Sequence, residues 1–281
     1  MNAARLQALR ARKGASRMAD IPAEVRRALD AGRLETVTLT EWLAIDPVAL
    51  MHAAIVAVDV PDLAEPLLEA ARSLAGDGIT ARMRGLGAAW HEALATMPRK
   101  RERARARRRL ATHTSDMVRA WAAYAHTADA DLDLADRLDL ARPFAADGAM
   151  SVRECAWDSF RPYIAPELDR ALDLLEPWVH DEDPNVRRCA IEGTRPRGVW
   201  TKHIDALKTE PERALPLLEP VRADPIRYVQ NAVANWLNDA SKSDGVWVRT
   251  LCDDWMKNTQ SPSTEYIVRR ALRTLRKQES E

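Results

Sequence analysis

Two carboxylates, Glu192 and Asp239, occupy similar places in successive sequence words, each near the end of an apolar-patterned segment. The words are Ile191-Glu192-Gly193-Thr194-Arg195-Pro196-Arg197-Gly198-Val199-Trp200 and Val233-Ala234-Asn235-Trp236-Leu237-Asn238-Asp239-Ala240-Ser241-Lys242. A third, Trp157-Asp158-Ser159-Phe160-Arg161-Pro162-Tyr163, precedes them. An acid in a groove stabilises positive charge developing on a substrate and orients a water against the electron-poor atom. Trp157 and Trp236 offer ring faces that attract a cation through their quadrupole. Asp158 and Asn235 complete the expected substrate contacts. Arg161, Arg188, Arg195, Arg197 and Lys242 are the cations expected to hold phosphates, which sets register without reading sequence.

Four of these residues have a structural alternative. Asp239, between Asn238 and Ser241-Lys242, can instead support a helix end. Glu192 can simply pair with Arg188 or Arg195. Trp157 and Trp236 have the spacing of core residues. Arg195-Pro196-Arg197 resists such a reading, because two guanidinium groups flanking a proline suit phosphate better than packing.

The elements that must position these residues follow from a recurring word. It reads Val25-Arg-Arg-Ala28, Val152-Arg-Glu-Cys155, Val186-Arg-Arg-Cys189, Val229-Gln-Asn-Ala232 and Val268-Arg-Arg-Ala271. The last four copies are 34, 43 and 39 residues apart, near the ~40-residue period of HEAT-type helix pairs. Leu174, Leu175 and Trp178 precede Asp183-Pro184, and Leu217 and Leu218 precede Asp224-Pro225; each junction leads into a copy of the word. An apolar helix, an Asp-Pro stop and a second apolar helix make a hairpin, with Asp capping and Pro in the first turn. Asp46-Pro47 repeats the junction near the N-terminus. The predicted fold is all-α: a HEAT-like α-α superhelix, a solenoid of antiparallel helix pairs in one domain spanning 1–281. Residues 1–147 are its less regular part and 148–281 its clear repeats, with a soft boundary near Gly148. Second helices line the concave face of such solenoids, so Glu192 and Asp239 are expected to share a groove.

The three dense words resemble the AlkC/AlkD family of alkylpurine DNA glycosylases. The similarity is greater to the AlkC branch, whose repeats carry E-G-x-R-P-R and A-N-x-L-N-D-x-x-K stretches. It covers residues 150–245 well and the rest as a helical outline. The resemblance implies a DNA alkylation-repair protein that hydrolyses the N-glycosidic bond of alkylated purines of the 3-methyladenine type. Glu192 and Asp239 match acidic residues of the AlkC-type pocket, where they would stabilise an oxocarbenium-like sugar and position water. A third acidic position of that pocket falls on Trp157. Trp157-Asp158 is similar to a Trp-Asp pair of the AlkD branch, whose catalytic Asp falls on Arg161. The implied partner is double-stranded DNA with an alkylated base, held by a monomer. Two rival readings stand beside this one: a non-catalytic binder of branched or distorted DNA, and a protein-interaction scaffold.

Bulk properties narrow the remaining choices. Lys plus Arg and Asp plus Glu both total 42, so the net charge is zero and any nucleic-acid surface must be locally basic. One such run is Arg99 to Arg109, with eight basic residues against Glu102. It either contacts nucleic acid or is a solvated helix face paired with Asp129 to Asp139. Cys155, Cys189 and Cys252 form no disulfide framework and are expected to be buried, inert thiols. The six histidines have no ligand spacing, so neither metal nor cofactor is expected. No P-loop, GxGxxG or GxSxG word is present. No apolar run is long enough for a membrane span, and Arg5, Arg10, Arg12, Lys13 and Arg17 replace the apolar stretch of a secretory signal. A cytoplasmic location is expected.

Overall fold

The computed structural model describes residues 3–198, 200–259 and 261–280, so Val199 of the second dense word lies outside the described residues. Helices and short 3-10 turns account for the regular structure, and none of the described residues forms a strand. The α-helices are α1 (Ala3–Arg10), α2 (Ala23–Asp30), α3 (Leu39–Leu43), α4 (Pro47–Val58), α5 (Ala64–Ser73) and α6 (Ile79–Ala95). They continue as α7 (Lys100–Ala111), α8 (Asp116–Thr127), α9 (Leu134–Ala145), α10 (Met150–Ile164), α11 (Leu168–Leu175) and α12 (Pro184–Gly193). The last are α13 (Ala206–Thr209), α14 (Leu215–Leu218), α15 (Arg227–Ala240), α16 (Gly245–Asn258), α17 (Pro262–Ala271) and α18 (Arg273–Ser280). The chain is an all-α helical-repeat protein.

Two compact units divide it. The first comprises residues 1–132 and 147–159; the second comprises 133–146 and 160–281. In the first unit α6 packs on α8 around fully buried Trp90 and Trp121. Gly87 makes that approach possible, because a Cβ there would lie 2.3 Å from Tyr124 Cβ and 3.1 Å from the Trp121 carbonyl oxygen. α4 ends at Asp59, whose left-handed backbone (φ 69°) closes the helix. Arg105 and Arg109 of the basic helix α7 both donate to the Asp59 carboxylate, at 2.8 and 3.0 Å. The acid that meets this helix is therefore one the sequence pattern did not single out.

The Asp-Pro junctions behave as caps at two of three places. Asp46 accepts from the Val48 and Ala49 amides, and Asp183 from the Asn185 amide, each with Pro at the first helical position. At Asp224-Pro225 the helix starts later: Asp224 accepts from the Ile226 amide, but α15 begins at Arg227.

Asp224 has another engagement, which shows what the recurring Val-Arg word does. Arg187 donates Nη1 to the carbonyls of Asp181 and Glu182 at 2.8 and 3.0 Å, closing the turn of its own repeat. Its Nε and Nη2 reach the Asp224 carboxylate of the following repeat at 2.7 and 3.2 Å. Gln230 takes the same position one repeat on and donates to the Asp224 carbonyl at 2.7 Å and Ser263 Oγ at 2.9 Å. In the first unit Arg119 follows the pattern, with the His113 and Thr114 carbonyls behind it and Asp147 ahead. Val118-Arg119 is thus a further copy of the word, 34 residues before Val152. Arg187 and Arg119 link a repeat to the next through charge-assisted bonds, and Gln230 does so through neutral ones.

Small residues set the helix spacing in the second unit. α12 packs on α15 and α15 on α17, with Ala190, Cys189, Ala232, Ala234 and Ala271 buried there. All three cysteines are buried, as expected, and none forms a disulfide. Burial pushes the Cys155 thiol well above its ordinary range and that of Cys252 up to about 12. At ordinary pH neither is a thiolate, so both are poor nucleophiles. No helix among the described residues is long and apolar enough to cross a membrane.

Candidate functional site

The second unit brings Glu192 and Asp239 to one guanidinium group. α12 ends at Gly193 and the chain turns at Thr194, with Pro196 just beyond, which leaves Glu192 in the last helical turn. α15 runs to Ala240 and presents Asp239 in its last turn. One bond locks these ends together, and a second ties α15 to α17. Trp236 Nε1 donates to the Thr194 carbonyl at 3.0 Å, and Asn238 Nδ2 donates to the Ala271 carbonyl at 2.9 Å on the far side of α15. With Asn238 turned toward α17, its neighbour Asp239 meets Arg195.

Arg195 Nη1 lies 3.0 Å from Glu192 Oε2, while its Nε and Nη2 lie 2.9 and 2.6 Å from Asp239 Oδ2. Arg188 approaches Glu192 Oε1 at 3.3 Å, and Lys242 Nζ reaches Asp239 Oδ1 at 2.9 Å. Two carboxylates thus alternate with three cations. Both acids are buried, at 4% exposure, whereas the Lys242 side chain is 42% exposed. Burial opposes the charge on Arg195, but Glu192 and Asp239 outweigh it and hold its pKa above the ordinary value. The site therefore holds two buried carboxylates side by side, each bonded to cations, with the least confined of those cations, Lys242, at the surface.

Arg188 is held from a second side, its guanidinium carbon 4.1 Å from the centre of the Tyr228 ring. Arg197 Nη2 donates to Ser243 Oγ at 2.7 Å. Asn235 is half-buried and accepts from Arg273 Nη2 at 3.1 Å.

Arg161 departs from its expected role. It is 3% exposed, and its guanidinium donates to the backbone carbonyls of Gly193 (2.7 Å), Arg195 (2.6 Å) and Lys202 (3.1 Å). It grips both arms of the segment 195–204, which Ile204 N–H closes onto the Pro196 carbonyl at 3.1 Å. With its donors engaged in the interior, Arg161 is a clamp for the loop and not a phosphate contact.

The expected aromatic contacts also sit elsewhere. Trp236 has no exposed surface, and its one polar atom serves the Thr194 carbonyl, so it is core. Trp157 and Asp158 belong to the first unit. Trp157 is 5% exposed, with Nε1 donating to Glu154 at 3.2 Å. Asp158, 2% exposed, takes Arg84 at 2.7 and 2.9 Å and the Tyr124 hydroxyl at 2.7 Å. All three have their polar atoms matched inside the fold.

The aromatic residue that sequence reasoning passed over is Trp200, 54% exposed in the clamped loop. It obeys no helical spacing, and that was the available signal. A large ring outside any apolar stripe, between Gly198 and Lys202-His203, has no core to enter. Among the described residues no group of three or more His, Cys, Asp or Glu side chains is placed to hold a metal ion.

Comparison with known proteins bears on this geometry. The family model for DNA alkylation repair enzymes matches residues 92–275. The uncharacterized protein YhaZ of Bacillus subtilis (strain 168) is 44% identical over 85 residues, 30% of this chain and 23% of that protein. The structure of Pseudomonas fluorescens alkylpurine DNA glycosylase AlkC, bound to DNA containing an abasic site analog, superposes with a TM-score of 0.69 at 25% identity. That similarity covers 85% of this chain and 64% of AlkC, so the chain spans less than two thirds of either relative's length. AlkD2 from Streptococcus mutans shares the fold, with a TM-score of 0.54 at 19% identity over 75% of this chain and 96% of AlkD2. With well over half of its length matched by the family model, this chain belongs to the DNA alkylation repair enzyme family.

Proposed function

We propose that the protein is a monofunctional DNA glycosylase that hydrolyses the N-glycosidic bond of alkylated purines, of the 3-methyladenine type, in duplex DNA. A purine alkylated on its ring carries a positive charge and departs as a neutral base, leaving cationic character on the sugar. Glu192 and Asp239 face that developing charge, and one of them orients the water that attacks the anomeric carbon. The water's oxygen joins the sugar, and its proton passes to the carboxylate and then to solvent. Lys242 is the cation that an approaching phosphate can draw away, which opens Asp239 Oδ1 to the reaction. Trp200 offers the apolar ring face that the buried tryptophans do not. The protein acts as a cytoplasmic monomer without a cofactor.

The observation that carries this reading is the convergence of Glu192 and Asp239, from successive repeats, on Arg195 in a chain of this family. One further observation favours a second reading. Every carboxylate oxygen of the pair meets a cation, as in a structural network, which suits a protein that binds DNA without excising a base.

Release of free base from methylated duplex DNA separates the two. Release by the wild type that Glu192→Gln and Asp239→Asn both abolish supports the glycosylase. Tight, salt-sensitive duplex binding with no release favours the non-catalytic binder. Absence of both leaves a protein scaffold.

A further inference from the structure

The cations expected to hold phosphates are largely engaged inside the second unit, whereas a different group of arginines in the same unit is not. Arg227 at the start of α15, Arg269 and Arg270 at the end of α17, and Arg273 at the start of α18 form no ion pair with any carboxylate among the described residues. Three of them gather on one ring. The guanidinium carbons of Arg227, Arg269 and Arg270 lie 3.4, 5.5 and 5.6 Å from the centre of Tyr266. Tyr266 is fixed in turn, because its hydroxyl donates to Asn231 Oδ1 at 2.8 Å.

The way these arginines are held matters. A carboxylate partner neutralises a guanidinium and occupies its donors. A ring face orients the group while leaving both its charge and its in-plane N–H donors available. Gathering like charges without counter-charge costs free energy, so stability of the free protein does not account for the cluster. Arg270 Nε is buried without a hydrogen-bond partner, so this group's donors are not all satisfied internally. Arg227, Arg269 and Arg273 are exposed, and a ligand can reach them.

The cluster also adjoins the acid pair. Arg273 donates to Asn235 Oδ1 at 3.1 Å and to the Arg270 carbonyl at 2.7 Å. Partial burial and the neighbouring Arg270 lower its pKa from the ordinary value, while Asp239 opposes that shift. Arg273 is therefore electrostatically coupled both to the arginine cluster and to Asp239.

From this placement we infer that Arg227, Arg269 and Arg270, arranged around Tyr266, together with Arg273 beside Asn235, bind backbone phosphates of the DNA strand whose damaged nucleotide faces Glu192 and Asp239. The occupant is a phosphodiester, since planar guanidinium donors match two phosphate oxygens at once and a base edge would need a groove-reading element. The inference rests on the glycosylase reading for the identity of the strand. It deepens that reading by moving the backbone grip from the residues around the acid pair to arginines of α15, α17 and α18.

The test measures affinity for an undamaged duplex against salt concentration, together with single-turnover base release at saturating protein. Each phosphate contact contributes about 0.9 to the slope of log K against log salt. The triple variant Arg227→Gln/Arg269→Gln/Arg270→Gln is expected to flatten the slope by about 2.7, and Arg269→Gln alone by about 0.9. The triple lysine variant, which keeps the charge, should restore most of the slope. Flattening in the glutamine variants with recovery in lysine supports the site. An unchanged slope in the well-folded single variant overturns it, whether or not base is released. If the slope responds but wild-type protein releases no base, the phosphate site stands and the glycosylase reading falls.

Discussion

Arg195 and Asp239, 44 residues apart in sequence, share two short bonds, Nε and Nη2 of the arginine both meeting Oδ2 of the aspartate. This contact joins the loop after α12 to the end of α15, and it places Glu192 on the same guanidinium. The acid pair is therefore a product of repeat stacking, and its chemistry can be separated from its structural contribution by experiment.

Neutralising either acid without changing its shape is the direct experiment. Glu192→Gln and Asp239→Asn are each expected to lower single-turnover base release by about 10²–10³, the loss typical of removing one group that stabilises transition-state charge. Duplex affinity should hold or rise, because a negative charge near phosphates is lost. Release rates and binding isotherms measured on the same preparations decide the matter.

Arg161 should show up in stability and not in DNA affinity. Arg161→Met strands the carbonyls of Gly193, Arg195 and Lys202 and is expected to cost about 1–3 kcal/mol for the unsatisfied groups. Urea unfolding reads that loss. The salt slope of DNA binding should stay at the wild-type value, in contrast to the variants of the Tyr266 cluster.

Trp200 and Trp236 make a matched pair of opposites. Trp236→Ala removes a fully buried ring and is expected to destabilise by about 3–5 kcal/mol. Trp200→Ala removes an exposed ring, should leave the unfolding midpoint near wild type, and should reduce base release on duplex DNA. Equal effects of the two substitutions on stability would contradict the assignment of Trp200 to the substrate side.

Acid stability depends on two histidines outside the candidate site. Burial, with Arg119 near His113 and Arg107 near His126, holds both imidazoles neutral, each with its pKa lowered to about 4. The unfolded chain binds protons near the ordinary value of about 6.5, so it carries more protons than the folded chain between the two values. Their contribution is fully present above pH ~6.5 and is lost as pH falls toward ~4, at most about 3 kcal/mol for each group. Unfolding midpoints measured from pH 7 to 4 should fall along this limb. The double variant His113→Gln/His126→Gln should flatten it.

The inter-repeat links make a last prediction. Asp224→Ala leaves the Arg187 guanidinium buried without its counter-charge and is expected to cost about 3–5 kcal/mol. The double variant Arg187→Met/Asp224→Leu should recover much of that loss, a coupling that a thermodynamic cycle measures directly.

The sequence by itself determined the helices, their hairpin pairing, the repeat word and the family. These are legible because their causes are local: apolar residues three and four apart, Asp-Pro junctions and small residues at fixed offsets act within a few turns of chain. It also put Glu192 and Asp239 at matching ends of successive second helices. The tertiary structure decided which partners those residues meet. Whether Arg161 reaches a phosphate or the carbonyl of Gly193, 32 residues away, depends on how one repeat stacks on the next. The same holds for Trp236 and Trp200, where helical spacing marks a ring for the core but cannot say which ring stays at the surface. The Arg187–Asp224 link and the arginines around Tyr266 were illegible for that reason too. A charge pattern along one chain does not record which charges become neighbours, because that is settled by packing between segments tens of residues apart.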